Sequence, residues 1–388
     1  MRRRDVTERM LVAQSSESVA QVIDALDDPS VEVARAAVTR LAELDGSCAV
    51  SGLRERLLNS DLSLVADTAR TLRGCGDPTV IDLAITGLGQ QPYTRRLAAA
   101  RALAALADRR SADPLRAGLH DPVAGVRVGV LAALAALGPS EATTSECAPL
   151  LADPDANVRR AAVSAIVRTS RRPGTHVSGA ARDPDRVVRL EVARHLARLS
   201  DESARSLLTD PDLRVREAGA RGAGIRQVGQ LAAMLVEDPS GDVRRAAAQT
   251  LGELADERVA DVLLAALEDR DALVRASALR AIEKLLTPSR AIRRLRSELG
   301  ASDARRRAAV VYALARMGAG EAADDVQRLV ADEDPDVRLA LIHTANVLQA
   351  KPEPLIRRLA ADADAAVRHS AENWLIRSAT RQSHEGRE

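Results

Sequence analysis

A carboxylate and a guanidinium six residues apart recur along this chain. Asp121 pairs in this way with Arg127, Asp153 with Arg159, Asp183 with Arg189, Asp210 with Arg216, Asp238 with Arg244, and Asp269 with Arg275. Such a pair can move protons, bind an anion or hold a fold together. Catalysis requires one copy that differs from the others, and none does. Recurrence in successive segments predicts an internal job instead. The aspartate is expected to cap a helix, and the arginine to reach a capping aspartate or a carbonyl of the same or the next segment.

A second set of chemically capable residues lies five positions after the ladder arginine: Thr39, Arg70, Arg101, Ala132, Ser164, Arg194, Arg221, Gln249, Arg280, Tyr312, His343 and Asn373. One position after that arginine, Arg35, Arg160, Arg245 and His369 fall on the same side. A broken row of arginines can take phosphates or acidic side chains bidentately. It is equally what a solvated polar face looks like, and Glu191, Glu217 and Glu253 dilute its charge. Towards the C-terminus the row turns polar and aromatic, with Tyr312, His343, His369, Asn373 and Trp374 on successive helices. In a chain with one Trp, two Tyr and no Phe, that gathering predicts a contact patch, since aromatic residues concentrate binding energy. His343 and His369 make no metal site without a third ligand; Glu372 is the one candidate.

No P-loop, G-x-S-x-G, H-E-x-x-H or CxxC string occurs. No cofactor, metal or small-molecule substrate is expected, and a core without aromatic walls suits no large ligand pocket. The 56 basic and 55 acidic residues leave a net charge of +1, so no bulk affinity for polyanions follows.

The elements that position these residues are read from residues 238–254, DPSGDVRRAAAQTLGEL. Asp238 before Pro239 reads as a helix start. Val243, Ala247, Thr250, Leu251 and Leu254 then recur at the spacing of one helical face. The cassette repeats, with ladder positions at Ala34, Val65, Arg96, Arg127, Arg159, Arg189, Arg216, Arg244, Arg275, Arg307, Arg338 and Arg368. Successive steps are 31, 31, 31, 32, 30, 27, 28, 31, 32, 31 and 30 residues. Between cassettes there is room for one more helix, as in residues 256–267. Neither helix can bury its apolar face alone, so the expected fold is all-α, a solenoid of about twelve helical hairpins stacked in sequence.

The phased string D-P-x-x-x-V-R-x-x-A-x-x-A-L resembles HEAT repeats, in the short bacterial form also called the phycobilisome-lyase HEAT-like repeat, over residues 15–378. The resemblance implies a right-handed superhelix whose second helices line a concave groove, which is where the arginine row would then lie. It also implies a scaffold or adaptor that binds a protein partner, here through an acidic or phosphorylated segment. Two alternatives stand beside it: nucleic-acid binding through groove arginines, and a lyase or other HEAT-like enzyme subunit. The marks of the enzymatic relatives are missing. The only His-Glu string, the iron-ligand pair of deoxyhypusine hydroxylase, is His384-Glu385 near the C-terminus. The aromatic cleft of HEAT-like DNA glycosylases has no counterpart, and bilin lyases offer no motif to match.

The organisation expected is a capping helix within residues 1–14, with Val6, Met10 and Leu11 inward, then the array over 15–378 and a disordered hydrophilic tail over 379–388. Residues 169–230 break the pattern. Pro173, Gly174 and Gly179 lie where a first helix should run, and Gly219, Gly222 and Gly224 weaken a second. Both ordinary repeat drift and a hinge fit that stretch. Three cysteines without a CxxC pair (Cys48, Cys75, Cys147), no apolar leader and no 18-residue apolar run predict a cytoplasmic protein with free thiols.

Overall fold

The computed structural model describes residues 2–44, 47–59, 61–349 and 351–385; among these every regular element is a helix and none is a strand. A representative repeat runs Val228–Glu237, then Gly241–Leu254. The next begins with a 3-10 turn at Glu257–Val259, the helix Ala260–Ala265 and a second 3-10 turn at Ala266–Glu268, followed by the long helix Ala272–Leu285. The expected helix over 256–267 is therefore tightened at both ends, a common way of closing helix termini.

Most long helices pack on their counterpart one repeat away, as Gly241–Leu254 does on Ala272–Leu285 and Tyr93–Leu106 on Ala124–Ala136. Val243, Ala247, Thr250 and Leu251 are buried in that layer, as their spacing predicts. Small residues set the approach: a Cβ added to Gly252 would stand 2.7 Å from the Ala281 Cα. Glycine inside a helix costs about 1 kcal/mol relative to alanine, so the close stacking outweighs that loss here.

The helix start departs from the expectation. Ser240, not Asp238, is the N-cap of Gly241–Leu254, and Pro239 lies outside the helix. Asp238 instead closes the preceding helix in an extended conformation, φ −65° and ψ 132°. Proline disfavours helical backbone in the residue before it, which moves the true start two positions on. There Asp155, Asp185, Asp212 and Asp271 cap their helices through side-chain oxygens.

The terminal helix Arg2–Ser15 packs on Val31–Glu43. Val6 and Met10 face it partly and Ala13 is buried, but Leu11 is 58% exposed. Continuing the helical step from Val6 and Met10 leads to Ala13, and Leu11 falls a quarter-turn off that line. At the other end, the helix Ala365–Glu385 runs on through residues 379–385, where composition suggested no structure. No glycine or proline interrupts that segment before Gly386, and residues 386–388 lie outside those described.

By contacts the chain divides into two compact units, Met1–Ser203 and Ala204–Glu388. The division falls inside the irregular stretch 169–230. In the first unit, the place of a first helix in that stretch is taken by a four-residue helix, Gly174–Val177, and a 3-10 turn, Ser178–Arg182. Gly174 is required there, because a Cβ would lie 2.6 Å from the Arg198 carbonyl oxygen. In the second unit, Leu213–Gly222 ends at its glycine. Cys75 and Cys147 carry free thiols, and burial pushes Cys147 up to about 12. The side chain of Cys48 lies outside the described residues. Among the described residues no helix is long and apolar enough to cross a membrane.

Candidate functional site

The ladder is an inter-repeat clamp. Arg127 donates from Nε and Nη2 to the two carboxylate oxygens of Asp153, at 2.9 and 2.8 Å. Its Nη1 donates to the carbonyl oxygen of Asp121, six residues back, at 2.8 Å. Of the partners open to it, the arginine thus takes both: a carbonyl of its own repeat and the carboxylate of the next.

The same fork joins Arg96 to Asp121, Arg159 to Asp183 and Arg216 to Asp238. It joins Arg244 to Asp269, Arg307 to Asp332 and Arg338 to Asp362. Each carboxylate also accepts the backbone N–H two residues on, as Asp269 does from Asp271 at 2.8 Å. Arg189 and Arg275 bind the carbonyls of Asp183 and Asp269, at 2.9 and 2.7 Å. Asp210 accepts the Asp212 N–H at 2.9 Å.

Burial pushes the carboxyls of Asp121, Asp153, Asp183, Asp269 and Asp332 up. The arginine fork and the backbone N–H outweigh it and hold all five below the ordinary carboxylate range. For Asp362 the hydrogen bond from Arg338 is the largest influence, and its carboxyl is also lowered. Every donor and acceptor in such a rung is spent on the fold, which leaves nothing for a substrate.

The arginine row is built differently. In the first unit Arg70 pairs with Asp67 at 2.6 Å, Arg194 with Glu191 at 3.1 Å, and Arg101 donates to the Leu62 carbonyl at 2.9 Å. Arg160 lies half-buried near Glu191 and helps to lower that carboxyl, after the larger effects of His195, burial and Arg194. In the second unit Arg221 pairs with Glu217 at 2.8 Å, Arg245 with Asp242 at 2.8 Å, and Arg280 donates to the Ser277 hydroxyl at 3.2 Å. Most of these partners sit three or four residues away on the same helix. Most of the row is exposed, but much of its charge is already answered locally.

The C-terminal residues do come together. The Tyr312 hydroxyl and His343 Nδ1 are 2.7 Å apart, with rings stacked at 6.2 Å and 27°. Asn373 Nδ2 lies 2.9 Å from His369 Nε2. Burial, with a smaller effect of Asp336, raises the Tyr312 phenol above its ordinary range. Between the helices Pro335–Leu348 and Ala365–Glu385 opens a cleft of about 520 Å³, lined by His343, Asn346, His369, Asn373, Trp374 and Arg377 among others. Among the described residues its lining includes no carboxylate.

Trp374 is half-buried in this wall, whereas the matching Ala102, Ala133, Ala165, Ala281 and Ala313 are buried in the array. Asn346 and Arg377 were not singled out by the sequence. They lie three and four residues after His343 and Asn373, one turn further along the same faces, and that step was the available signal. Among the described residues no three His, Cys, Asp or Glu side chains converge as metal ligands.

A stack of helical hairpins tied edge to edge defines an α-solenoid. The family model for HEAT repeats matches residues 81–167 and 228–315, so the chain carries HEAT repeats. Among solved structures it is similar to YibA of Escherichia coli, at 21% identity and a TM-score of 0.49, over 66% of this chain and 97% of that one. It is also similar to importin beta, at 15% identity and a TM-score of 0.45, over 91% of this chain and 54% of that one. Kap95p, in a structure concerned with its binding to RanGDP, matches at 13% identity and a TM-score of 0.47, over 92% of this chain and 60% of that one. Comparison with curated proteins gives no match.

Proposed function

We propose that the chain is a non-enzymatic scaffold or adaptor that binds an acidic or phosphorylated segment of a protein partner. The observation that carries this reading is the C-terminal cleft. In a chain where acids nearly equal bases, its lining offers Arg377, two imidazoles, two amides and an indole, with no carboxylate among the described residues to oppose an incoming anion. Tyr312 and Asn373 already orient the two imidazoles by hydrogen bonds. Little side-chain freedom is then lost when a ligand enters, which favours affinity. Arg221, Arg245 and Arg280 extend cationic positions along the same compact unit, and Arg70, Arg101, Arg160 and Arg194 do so in the other.

Trp374 is the chain's only tryptophan, so tryptophan fluorescence, excited selectively over tyrosine, reports on this cleft alone. Partner binding is expected to shift its emission. Reversing Arg194, Arg221 and Arg280 together to glutamate is expected to abolish recovery of the partner in a pull-down. Unchanged recovery overturns the role of the row, and unchanged emission overturns that of the cleft. Nucleic-acid binding would instead show affinity falling with salt by about 0.9 in log slope per duplex phosphate neutralised. A chromophore or metal that co-purifies would favour an enzyme subunit.

A further inference from the structure

Three successive junctions of the second compact unit are not built alike. Gly241–Leu254 and Ala272–Leu285 lie side by side, and the Arg244 fork on Asp269 ties their repeats. Ala304–Arg316 and Pro335–Leu348 also lie side by side, with the Arg307 fork on Asp332. The junction between these two, where Ala272–Leu285 meets Ala304–Arg316, lacks both ties. Among the described residues the two long helices do not pack on each other. Ala304–Arg316 rests instead on the 3-10 turn Ala266–Glu268, which ends the first helix of the preceding repeat. Arg275 bonds the Asp269 carbonyl of its own repeat at 2.7 Å and, among the described residues, no carboxylate.

The ties that do cross this junction are looser. Arg290 pairs with Glu257 and Arg316 with Glu283, both at 2.8 Å, through side chains 55% and 47% exposed. Arg306 adds a pair with Glu268 at 2.8 Å, beside the turn on which its helix rests. Exposed pairs on long side chains contribute little and follow a change of spacing without breaking. The connecting segment is also open, for a Cβ built on Gly300 would meet nothing within 4 Å. In a linear array each repeat is held by its neighbours alone, so stiffness is set junction by junction.

We propose that this junction is a joint, about which residues 288–385, the block that carries the Trp374 cleft, turn relative to the repeats before them. The pivot is the contact of Ala304–Arg316 with Ala266–Glu268. Arg280 and Tyr312 stand on the helices either side, so turning resets the spacing between two neighbouring positions of the row. The joint lies outside the irregular stretch 169–230 and stands whether or not the cleft or the row binds a partner.

The test is spin-label distance measurement by double electron–electron resonance on the full chain carrying Cys48→Ser and Cys75→Ser; the Cys147 thiol is buried. Three pairs of cysteines are compared, each nine residues after a ladder arginine and each spanning two junctions. Lys284→Cys with Val347→Cys crosses the joint. Ala105→Cys with Arg168→Cys crosses two closely packed junctions, and Arg316→Cys with Arg377→Cys crosses the two junctions between the joint and the C-terminal helix. All six positions are at least partly exposed, so labels leave the core intact. The expected result is a wider distance distribution for Lys284–Val347 than for either other pair. Equal widths in all three overturn the joint. So does an equally wide Arg316–Arg377 pair, which would place the motion in fraying of the chain end.

Discussion

Arg244 and Arg221 carry the same guanidinium on long helices of adjacent repeats, yet they live in different surroundings. The Arg244 side chain is 5% exposed and grips Asp269 in the next repeat; that of Arg221 is 54% exposed and grips Glu217 one turn back on its own helix. Arg244 directly follows the first core residue of its helix, Val243, where two repeats meet. Arg221 points outward. The first ion pair exists only while neighbouring repeats are stacked, and the second survives in an isolated helix. Residue type therefore says little about an arginine's role in such an array. Phase relative to an aspartate in the next repeat says much more.

The widest way to test this contrast is acid, because it acts on all the rungs together. The carboxyls of Asp121, Asp153, Asp183, Asp269, Asp332 and Asp362 are held below the ordinary range. A carboxyl lowered on folding stabilises fully above its unfolded value of about 3.9 and loses that contribution as pH falls through its folded value. Urea midpoints should therefore hold near neutrality and drop steeply below about pH 4. A midpoint that stays level through that window would mean that the forks add nothing.

The next largest effect is expected from Arg244→Ala. It leaves the Asp269 carboxylate largely buried without its cation, and breaking such a pair costs about 3–5 kcal/mol. Urea denaturation measures the loss, and a double-mutant cycle with Asp269→Ala should return strong coupling. Coupling near zero would place the Arg244 rung with ordinary surface pairs.

The repeat period, the buried face of Gly241–Leu254 and the structural character of the ladder were all legible in the chain. Each rests on a pattern that recurs and so averages out local noise. The cap was misplaced because Asp-Pro fits a helix start at two registers, and only backbone geometry decides between them. Leu11 was misread because a terminal helix has one packing partner, which leaves apolar residues outside. The gathering of Tyr312, His343, His369 and Asn373 followed from phase.

The smallest effect is expected from Arg221→Ala, and it sharpens the contrast most. Glu217 would keep Arg214, which lies 3.2 Å away on the same helix, so its carboxylate is not left alone. Exposed pairs of this kind contribute less than about 1 kcal/mol, and salt screens them further. The urea midpoint should barely move, while recovery of a partner that uses the row should fall. A destabilisation as large as that of Arg244→Ala would make Arg221 part of the clamp. The row would then be committed to stacking, and the cleft beside Trp374 would carry the binding proposal alone.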